Sequence, residues 1–251
     1  MATSTMLRTA IELDANPVPK RIGLIALATD NTTEREYARI CDPDLTGVYV
    51  ARVAYANPTT PENLRSMGPH IEAAARSILP EQDLDVIAYA CTAASVVLGD
   101  EFVFEAMRQA KPGAACVTPT SAAFAAFTAL GVGKVSVLTP YTRLVTGEVT
   151  RYLESKGLAV VSAENMDLED DRDMARVSPK TIRRAGVEAM DSDADALFIS
   201  CTALRAAGCV QAIEVQTGKP VVTSNQAMVW RSLRLAGDCR PVQGYGRLFN
   251  L

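Results

Sequence analysis

The stretch DVIAYACTAASV, residues 85–96, places Cys91 and Thr92 directly after an apolar run and before a helical pattern. The stretch DALFISCTALRA, residues 195–206, repeats this order around Cys201 and Thr202. Short apolar runs that alternate with helical patterns are typical of buried parallel strands connected by helices. The repeat therefore predicts an α/β fold with two similar halves, each of which carries a Cys-Thr turn after a strand.

The alternation of strands and helices continues on both sides of these turns. The predicted strands are 21–27, 47–53, 85–90, 114–118, 134–139, 159–164, 196–200 and 220–224. Helices are predicted from residue 32, over 61–79, after 92, over 121–130, 141–156 and 179–190, after 202, and over 224–235. A polar loop, DLEDDRD, is predicted over 167–173. The segments PGAACVTPTS (112–121) and GKPVVTSNQA (218–227) also correspond, which indicates an internal duplication.

The duplication predicts how the chain is divided. Two Rossmann-like halves with parallel sheets, related by a pseudo-twofold axis, bring the carboxyl ends of their strands face to face, where open α/β sheets bind ligands. We expect a flexible leader over 1–20, a first half over 21–119 completed by 224–251, and a second half over 120–223. The active site is expected in the cleft between the halves.

Composition excludes several classes of function. The formal net charge of −4 and the pI of about 5.2 give no basic face for nucleic acid. No apolar run approaches the roughly 20 residues of a membrane helix, and the N-terminal segment lacks the apolar core of a signal peptide. The six cysteines are scattered without a CxxC pair, which favours a reduced, cytoplasmic compartment over disulfides or structural zinc.

The chain is predicted to use no metal and no cofactor. Its single histidine, His70, lies in a predicted surface helix, so His-rich metal sites are excluded and a His-dependent triad is disfavoured. The glycines of GVGKVSVLT (131–139) precede a strand, whereas phosphate-binding loops place theirs between a strand and a helix. We therefore expect neither a nucleotide nor NAD.

The paired cysteines carry the chemistry. A cysteine at a helix N-terminus is expected to have a lowered pKa, because the free N–H groups favour the thiolate. Two such thiols across a cleft could exchange a proton on opposite faces of one carbon, or one could add to a double bond and let it rotate. Buried cysteine is often inert, but its recurrence at equivalent places favours a functional pair.

At these residues the chain resembles the Asp/Glu racemase superfamily, which includes maleate cis-trans isomerases, hydantoin racemases and arylmalonate decarboxylases. The resemblance rests on DNTTERE (30–36), the two Cys-Thr turns, TPYT (139–142) and LEDDRDMARVSP (168–179). It is strongest towards the maleate isomerase branch and towards racemase-like proteins of ectoine utilisation, which share the style of GLIALATDNTTERE (23–36). It implies a cofactor-independent isomerase or racemase.

The resemblance also implies roles for individual residues. Cys91 corresponds to the nucleophile or first base, and Cys201 to its partner. Substrate carboxylates would be held by Asn31, by the hydroxyl of Tyr141, and by the N–H groups and hydroxyls of Thr92 and Thr202.

Asp171 departs from the family pattern, because a second substrate-binding Asn is expected in its place. An ionised Asp only accepts hydrogen bonds and repels a carboxylate. It suits an ammonium or amide N–H, so we expect an amino-acid-like or N-acylated diamino acid substrate, as the resemblance to the ectoine-utilisation proteins implies. The alternative is a solvated acidic loop without a chemical role.

Two other functions stay open at this point. An arylmalonate-type decarboxylase works with a single thiol in the second half and would carry an apolar residue in place of Cys91. A non-catalytic module that senses a small acid needs neither thiol. In each case a small carboxylate or amino acid is the expected ligand. A homo-oligomer is the expected assembly, and the sequence does not fix its size, although dimers are the commonest assembly.

Overall fold

Eight parallel strands form two sheets in the computed structural model, which describes residues 9–251. The first sheet contains β1 (Lys20–Leu27), β2 (Thr46–Val53), β3 (Val86–Tyr89) and β4 (Ala115–Val117), in the order β2-β1-β3-β4. The second contains β5 (Lys134–Thr139), β6 (Ala159–Asn165), β7 (Ala196–Ile199) and β8 (Val221–Thr223), in the equivalent order β6-β5-β7-β8. The predicted α/β class with two similar halves is confirmed.

Helices cover both sheets. They are α1 (Thr33–Ile40), α2 (Pro61–Ser66), α3 (Ile71–Ser77), α4 (Thr92–Leu98), α5 (Asp100–Ala110), α6 (Pro119–Leu130), α7 (Arg143–Ser155), α8 (Asp171–Arg176), α9 (Pro179–Glu188), α10 (Val210–Thr217) and α11 (Ser224–Leu235). Short 3₁₀ turns occupy Gly68–His70, Ala207–Cys209 and Arg247–Asn250. Among residues 9–251, no helix combines the length and apolar character needed to cross a bilayer.

The central strands are buried on both faces. All four residues of β3 and of β7 are buried, as expected for interior strands of a parallel sheet between helices. Each of these strands pairs with the strand that opens its own half, β1 for β3 and β5 for β7. The segments that follow β3 and β7 therefore leave equivalent places in the two sheets.

The structure differs from the sequence prediction in three places. The helix predicted over 61–79 is interrupted at Gly68–His70, because Pro69 lacks the N–H of an α-helical hydrogen bond. The polar loop predicted over 167–173 contains the start of α8, which Asp170 caps by accepting a hydrogen bond from the Arg172 N–H. No α-helix follows Thr202 directly, since the chain reaches Val210 before α10 begins.

The two halves are joined through α6 and α11. Thr118 and Thr223 each begin a helix with a reciprocal capping box, which supports the predicted correspondence of residues 112–121 and 218–227. The two helices pack against each other, and α11 contacts β3 and β4 as well as β8. The division at residues 119 and 223 stays a prediction. The predicted leader lies outside the described residues over 1–8, and no helix or strand occupies 9–19.

Candidate active site

A cavity lies where the carboxyl ends of the two sheets meet. Five of the residues predicted to form the site line it: Cys91, Tyr141, Asp171, Cys201 and Thr202. The remaining lining residues are Leu27, Asp30, Tyr55, Thr59, Leu64, Ala93, Met174 and Ala203. The lining residues lie at or beyond the carboxyl ends of strands in both sheets, so both halves contribute to the cavity.

Cys91 is the N-cap residue of α4, with an extended backbone at φ −150° and ψ 108°. The Ala94 N–H faces its sulfur and favours the thiolate, as the sequence predicts. Burial has the larger effect, however, and raises the pKa of the Cys91 thiol to about 12, with Cys201 and Asp171 adding repulsion. The predicted lowering of this pKa is therefore wrong for the covered cavity.

The Cys201 sulfur also lies close to backbone N–H groups, although no helix begins at this residue. The chain turns back after Thr202, and the Cys201 Sγ accepts a hydrogen bond from the Ala203 N–H at 3.3 Å. The Leu204 N–H and the Tyr141 hydroxyl also favour the Cys201 thiolate. Burial still raises the pKa of the Cys201 thiol to about 11. Three donors thus favour the Cys201 thiolate, whereas one, the Ala94 N–H, favours that of Cys91.

Tyr141 follows β5 and is buried, with 3% of its surface exposed. Burial and the two neighbouring thiols hold its pKa well above the usual range. The hydroxyl therefore keeps its proton and serves as a hydrogen-bond donor inside the cavity.

The threonines of the two Cys-Thr turns are used differently from the prediction. Thr92 does not line the cavity, and its hydroxyl donates to the Ser224 Oγ at 2.8 Å. Thr202 lines the cavity, but its hydroxyl donates to the Ala90 carbonyl at 3.1 Å. Ser224 Oγ also accepts from the Cys201 N–H at 3.0 Å. The hydroxyls thus hold the two turns together, and the predicted role of Thr92 in binding substrate is not supported by this placement.

The Ser224 contact predicts a stability effect. The substitution Ser224→Ala leaves the buried Thr92 hydroxyl and the Cys201 N–H without their acceptor. We expect it to lower the free energy of unfolding by about 3 kcal/mol. The buried Ser95 donates only to the Cys91 carbonyl, which already accepts from the Ser95 N–H, so Ser95→Ala is the matched control and should cost under about 1 kcal/mol. Urea denaturation of both variants compares them; equal losses would contradict the linking role of Ser224.

Asn31 is not brought into the cavity. Its side chain is exposed, its amide donates to the Thr29 carbonyl at 2.8 Å, and it lines a separate cleft on the outer side of the turn. The preceding residue, Asp30, lines the cavity instead. Asp30 accepts from the N–H groups of Thr32 and Thr33 at 2.7 and 2.8 Å and so holds the turn that leads into α1. The predicted carboxylate-binding role of Asn31 is therefore not supported by the structure.

Asp171 is buried and fixed in position, with 6% of its surface exposed. One carboxylate oxygen accepts from the Asn57 amide at 2.8 Å and the other from the Thr29 hydroxyl. The Asn57 oxygen accepts in turn from the Asp171 N–H at 3.2 Å. The alternative of a solvated acidic loop is wrong for this residue, because its carboxylate lies in the cavity wall.

The same contacts cover the cavity. The loop that follows β2 and the loop that precedes α8 meet over it, with the Thr59 N–H donating to the Glu169 carbonyl at 2.8 Å in addition to the Asn57 and Asp171 pair. The volume of the cavity is about 20 Å³, which leaves room for about one water molecule. The structure therefore shows a narrow, covered site, and these two loops form its roof.

Tyr55, Thr59 and Asp30 were missed by the sequence analysis. Tyr55 donates to or accepts from the Thr59 hydroxyl at 2.6 Å, and burial raises its pKa. A signal existed, since Tyr55 follows β2 as Asp171 follows the equivalent strand β6. Applying the duplication to every strand end, and not only to the Cys-Thr turns, would have found Tyr55.

The lining is acidic. It contains two aspartates and no Lys, Arg or His, and His70 lies elsewhere on an exposed 3₁₀ turn. In the described part of the chain, no group of three His, Cys, Asp or Glu side chains is arranged to hold a metal ion. The groups available for chemistry are therefore two thiols, two tyrosine hydroxyls and two carboxyls.

Comparison with known proteins identifies relatives of the chain. The arylmalonate decarboxylase family model matches residues 54–249. An arylmalonate decarboxylase from Bordetella bronchiseptica is 30% identical over 91% of this chain and 96% of its own length. A maleate isomerase from Geobacillus stearothermophilus is 24% identical over 85% of this chain and 90% of its own. The Nocardia farcinica maleate cis-trans isomerase with a covalently bound succinylcysteine intermediate superposes with a TM-score of 0.82 at 24% identity, covering 92% of this chain and 98% of that one.

Proposed function

This chain belongs to the arylmalonate decarboxylase family, and from that premise we propose that it is a cofactor-independent isomerase that uses Cys91 and Cys201. One observation carries the proposal. Each thiol follows an interior strand of its own sheet, and both line one covered cavity. Chemistry with a single catalytic thiol needs only one of them, whereas proton exchange on two faces of a carbon needs both.

The proposed reaction is inversion at a carbon next to a carboxylate. The Cys201 thiolate removes the α-proton, and the C–H electron pair moves into the carboxylate to give an enediolate. The Cys91 thiol then donates its proton to the opposite face and becomes a thiolate. Tyr141 donates to the negative charge that develops during the step, and N–H groups at the start of α4 do the same. Reaction of the mirror-image substrate reverses the roles of the two thiols.

The acidic lining supports an amino-acid-like substrate. The Asp171 carboxylate raises the pKa of both thiols by repulsion. A substrate ammonium or amide N–H beside Asp171 would offset this repulsion and favour the thiolate that the reaction needs. A dicarboxylate such as maleate would instead place a second carboxylate against Asp171. We therefore infer an α-amino acid or an N-acylated diamino acid as the substrate class.

Arylmalonate-type decarboxylation is the second candidate, because the Bordetella bronchiseptica relative at 30% identity has that name. Decarboxylation needs one thiol to protonate the enediolate that remains after CO₂ leaves. Cys201 alone could supply that proton, and Cys91 would then have no role. Covalent addition to an olefin, as in the Nocardia farcinica isomerase, is a third chemistry that one of these thiols could perform.

The deciding experiment is proton NMR in D₂O with the purified protein. The panel consists of both enantiomers of aspartate, glutamate, 2,4-diaminobutyrate and its N-acetyl forms, with maleate and phenylmalonate. We expect deuterium to enter the α-position of an amino-bearing member as its enantiomer forms. Release of CO₂ from phenylmalonate would favour the decarboxylase. Fumarate formed from maleate would favour covalent addition, and binding without any turnover would favour a sensing module.

A further inference from the structure

A second cleft lies behind the turn that carries Asp30, on the outer side of the junction between the halves. Its volume is about 280 Å³, and we call it the arginine cleft. The first half contributes Arg35 and Arg39 from α1, and the second half contributes Arg205 and Cys209. The cleft does not include either catalytic thiol, and it is much larger than the covered cavity.

Three arginines therefore line one cleft. Within residues 9–251, no carboxylate oxygen lies within 4.0 Å of Arg35, Arg39 or Arg205, although the chain is acidic overall with a net charge of −4. Most exposed arginines of this protein do pair with an acid, as Arg52 does with Glu34. A concentration of unpaired positive charge on a concave surface favours a multiply charged anion.

The guanidinium group of Arg205 is held in place and lacks one hydrogen-bond partner. Its Nη2 donates to the Val177 carbonyl at 2.8 Å, which fixes the side chain in place. Its Nε is buried and has no hydrogen-bond partner in the described part of the molecule. Because the Nε is buried, an oxyanion in the cleft would bind Arg205 through its Nη1, which is not buried and donates no hydrogen bond within the described residues.

Glu36 does not neutralise the cleft. Although Glu36 lines it, the carboxyl group is turned inward, where it accepts from the Ala207 N–H at 3.1 Å and the Asn225 amide at 2.8 Å. Burial raises the pKa of Glu36 to about 7, while the hydrogen bonds from Asn225 and Ala207 and the charge of Arg39 act in the opposite direction. The three arginines therefore dominate the charge of the cleft.

The cleft is connected to the catalytic cavity by hydrogen bonds. The Asn225 amide that donates to Glu36 also donates to the Thr202 carbonyl at 2.8 Å, and Thr202 lines the cavity. Asn225 belongs to α11, the helix that contacts both sheets. An occupant of the cleft would thus contact both halves. It would also lie beside Glu36, which Asn225 connects to the Thr202 carbonyl of the Cys201 turn.

We propose that the arginine cleft is a binding site for a small multiply charged oxyanion, of the phosphate or tricarboxylate type, distinct from the site of catalysis. Both types offer several oxygens to planar guanidinium donors. Because Arg35 and Arg39 lie on one half and Arg205 on the other, the bound anion would stabilise the native arrangement of the halves.

The test is isothermal titration calorimetry of the full chain with inorganic phosphate and with citrate, at ionic strength matched by sodium chloride. We expect saturable one-to-one binding of at least one of the two, and the tighter ligand identifies the source of the oxyanion. The double variant Arg35→Gln/Arg39→Gln should weaken that binding at least about tenfold, since each charge-assisted hydrogen bond contributes strongly. Thermal unfolding of each variant verifies that it is folded.

A matched control separates the cleft from overall charge. Arg143→Gln/Arg184→Gln removes the same charge from two exposed arginines outside the cleft and should leave anion binding unchanged. Binding of neither anion, or equal weakening in both double variants, would overturn the proposal. Because the measurement needs no catalysis, its result is independent of the proposed reaction.

Discussion

Replacing either cavity thiol by a hydroxyl, in Cys91→Ser or Cys201→Ser, should lower the rate of racemisation about 10³-fold. A Ser hydroxyl is a much weaker acid than a thiol and supplies no base at neutral pH, so one face of the substrate carbon loses its proton donor or acceptor. Residual deuterium exchange should be confined to one enantiomer, and to opposite enantiomers in the two variants. The measurement is polarimetry of conversion combined with proton NMR of exchange for each enantiomer.

Cys41→Ser is the matched control for this pair. Cys41 is a buried cysteine at the end of α1 that does not line the cavity, and its substitution should leave turnover within about twofold of the unmodified chain. Full racemisation by either cavity variant would eliminate the two-thiol mechanism. Loss of turnover in Cys201→Ser alone, with Cys91→Ser fully active, would point to decarboxylase-type chemistry.

Asp171→Asn is expected to change the choice of substrate. It removes the carboxylate that would bind a substrate ammonium, so KM for the amino-bearing substrate should rise about tenfold to a hundredfold. The same change provides an amide donor and should improve the binding of maleate. The cavity wall should tolerate the Asn side chain, because the Thr29 hydroxyl, which donates to Asp171, can accept a hydrogen bond from an amide instead. Steady-state kinetics and competition binding with both ligand classes measure the effect.

Asp173→Asn removes the same charge from an exposed position in the first turn of α8 and serves as the control. It should leave KM for both ligand classes unchanged. If Asp171→Asn and Asp173→Asn behave alike, Asp171 acts only through the net charge of the loop. If Asp171→Asn weakens both ligand classes equally, the carboxylate holds the roof in place without selecting the substrate.

Much of the fold was predictable because the signals were local. The apolar runs around Cys91 and Cys201 indicated two buried strands, and both are interior strands of their sheets. The break at Pro69 was also visible in the sequence, since proline removes a helical N–H, yet the flanking helical pattern obscured it. The absence of a helix directly after Thr202 could not be predicted from the neighbouring residues. The turn is shaped by a contact with the other half, where the Thr202 hydroxyl donates to the Ala90 carbonyl.

Many of the residues that form the site were predictable. The direction in which individual side chains face and the pKa values of the thiols were less so. Duplication and resemblance placed Cys91, Cys201 and Tyr141 together, as the structure does. Whether Asn31 or its neighbour Asp30 faces the cavity depends on one backbone turn, which a pattern does not resolve. The thiol pKa values depend on burial by the roof, and that burial comes from loops that are distant in sequence. The cytoplasmic location and the homo-oligomeric assembly stay predictions.

The roof over the cavity has a consequence for what happens between turnovers. After one inversion the proton that began on Cys91 is on the product, and the proton taken from the substrate is on Cys201. The protein is then primed for the mirror-image substrate. A second turnover of the original enantiomer requires either that reverse reaction or an exchange of protons with water. With the Thr59 and Glu169 backbones bonded over a cavity of about 20 Å³, there is room for little water, so that exchange would be slow unless the loops part. At high substrate concentration this recovery, and not bond breaking at carbon, would set the pace of the cycle.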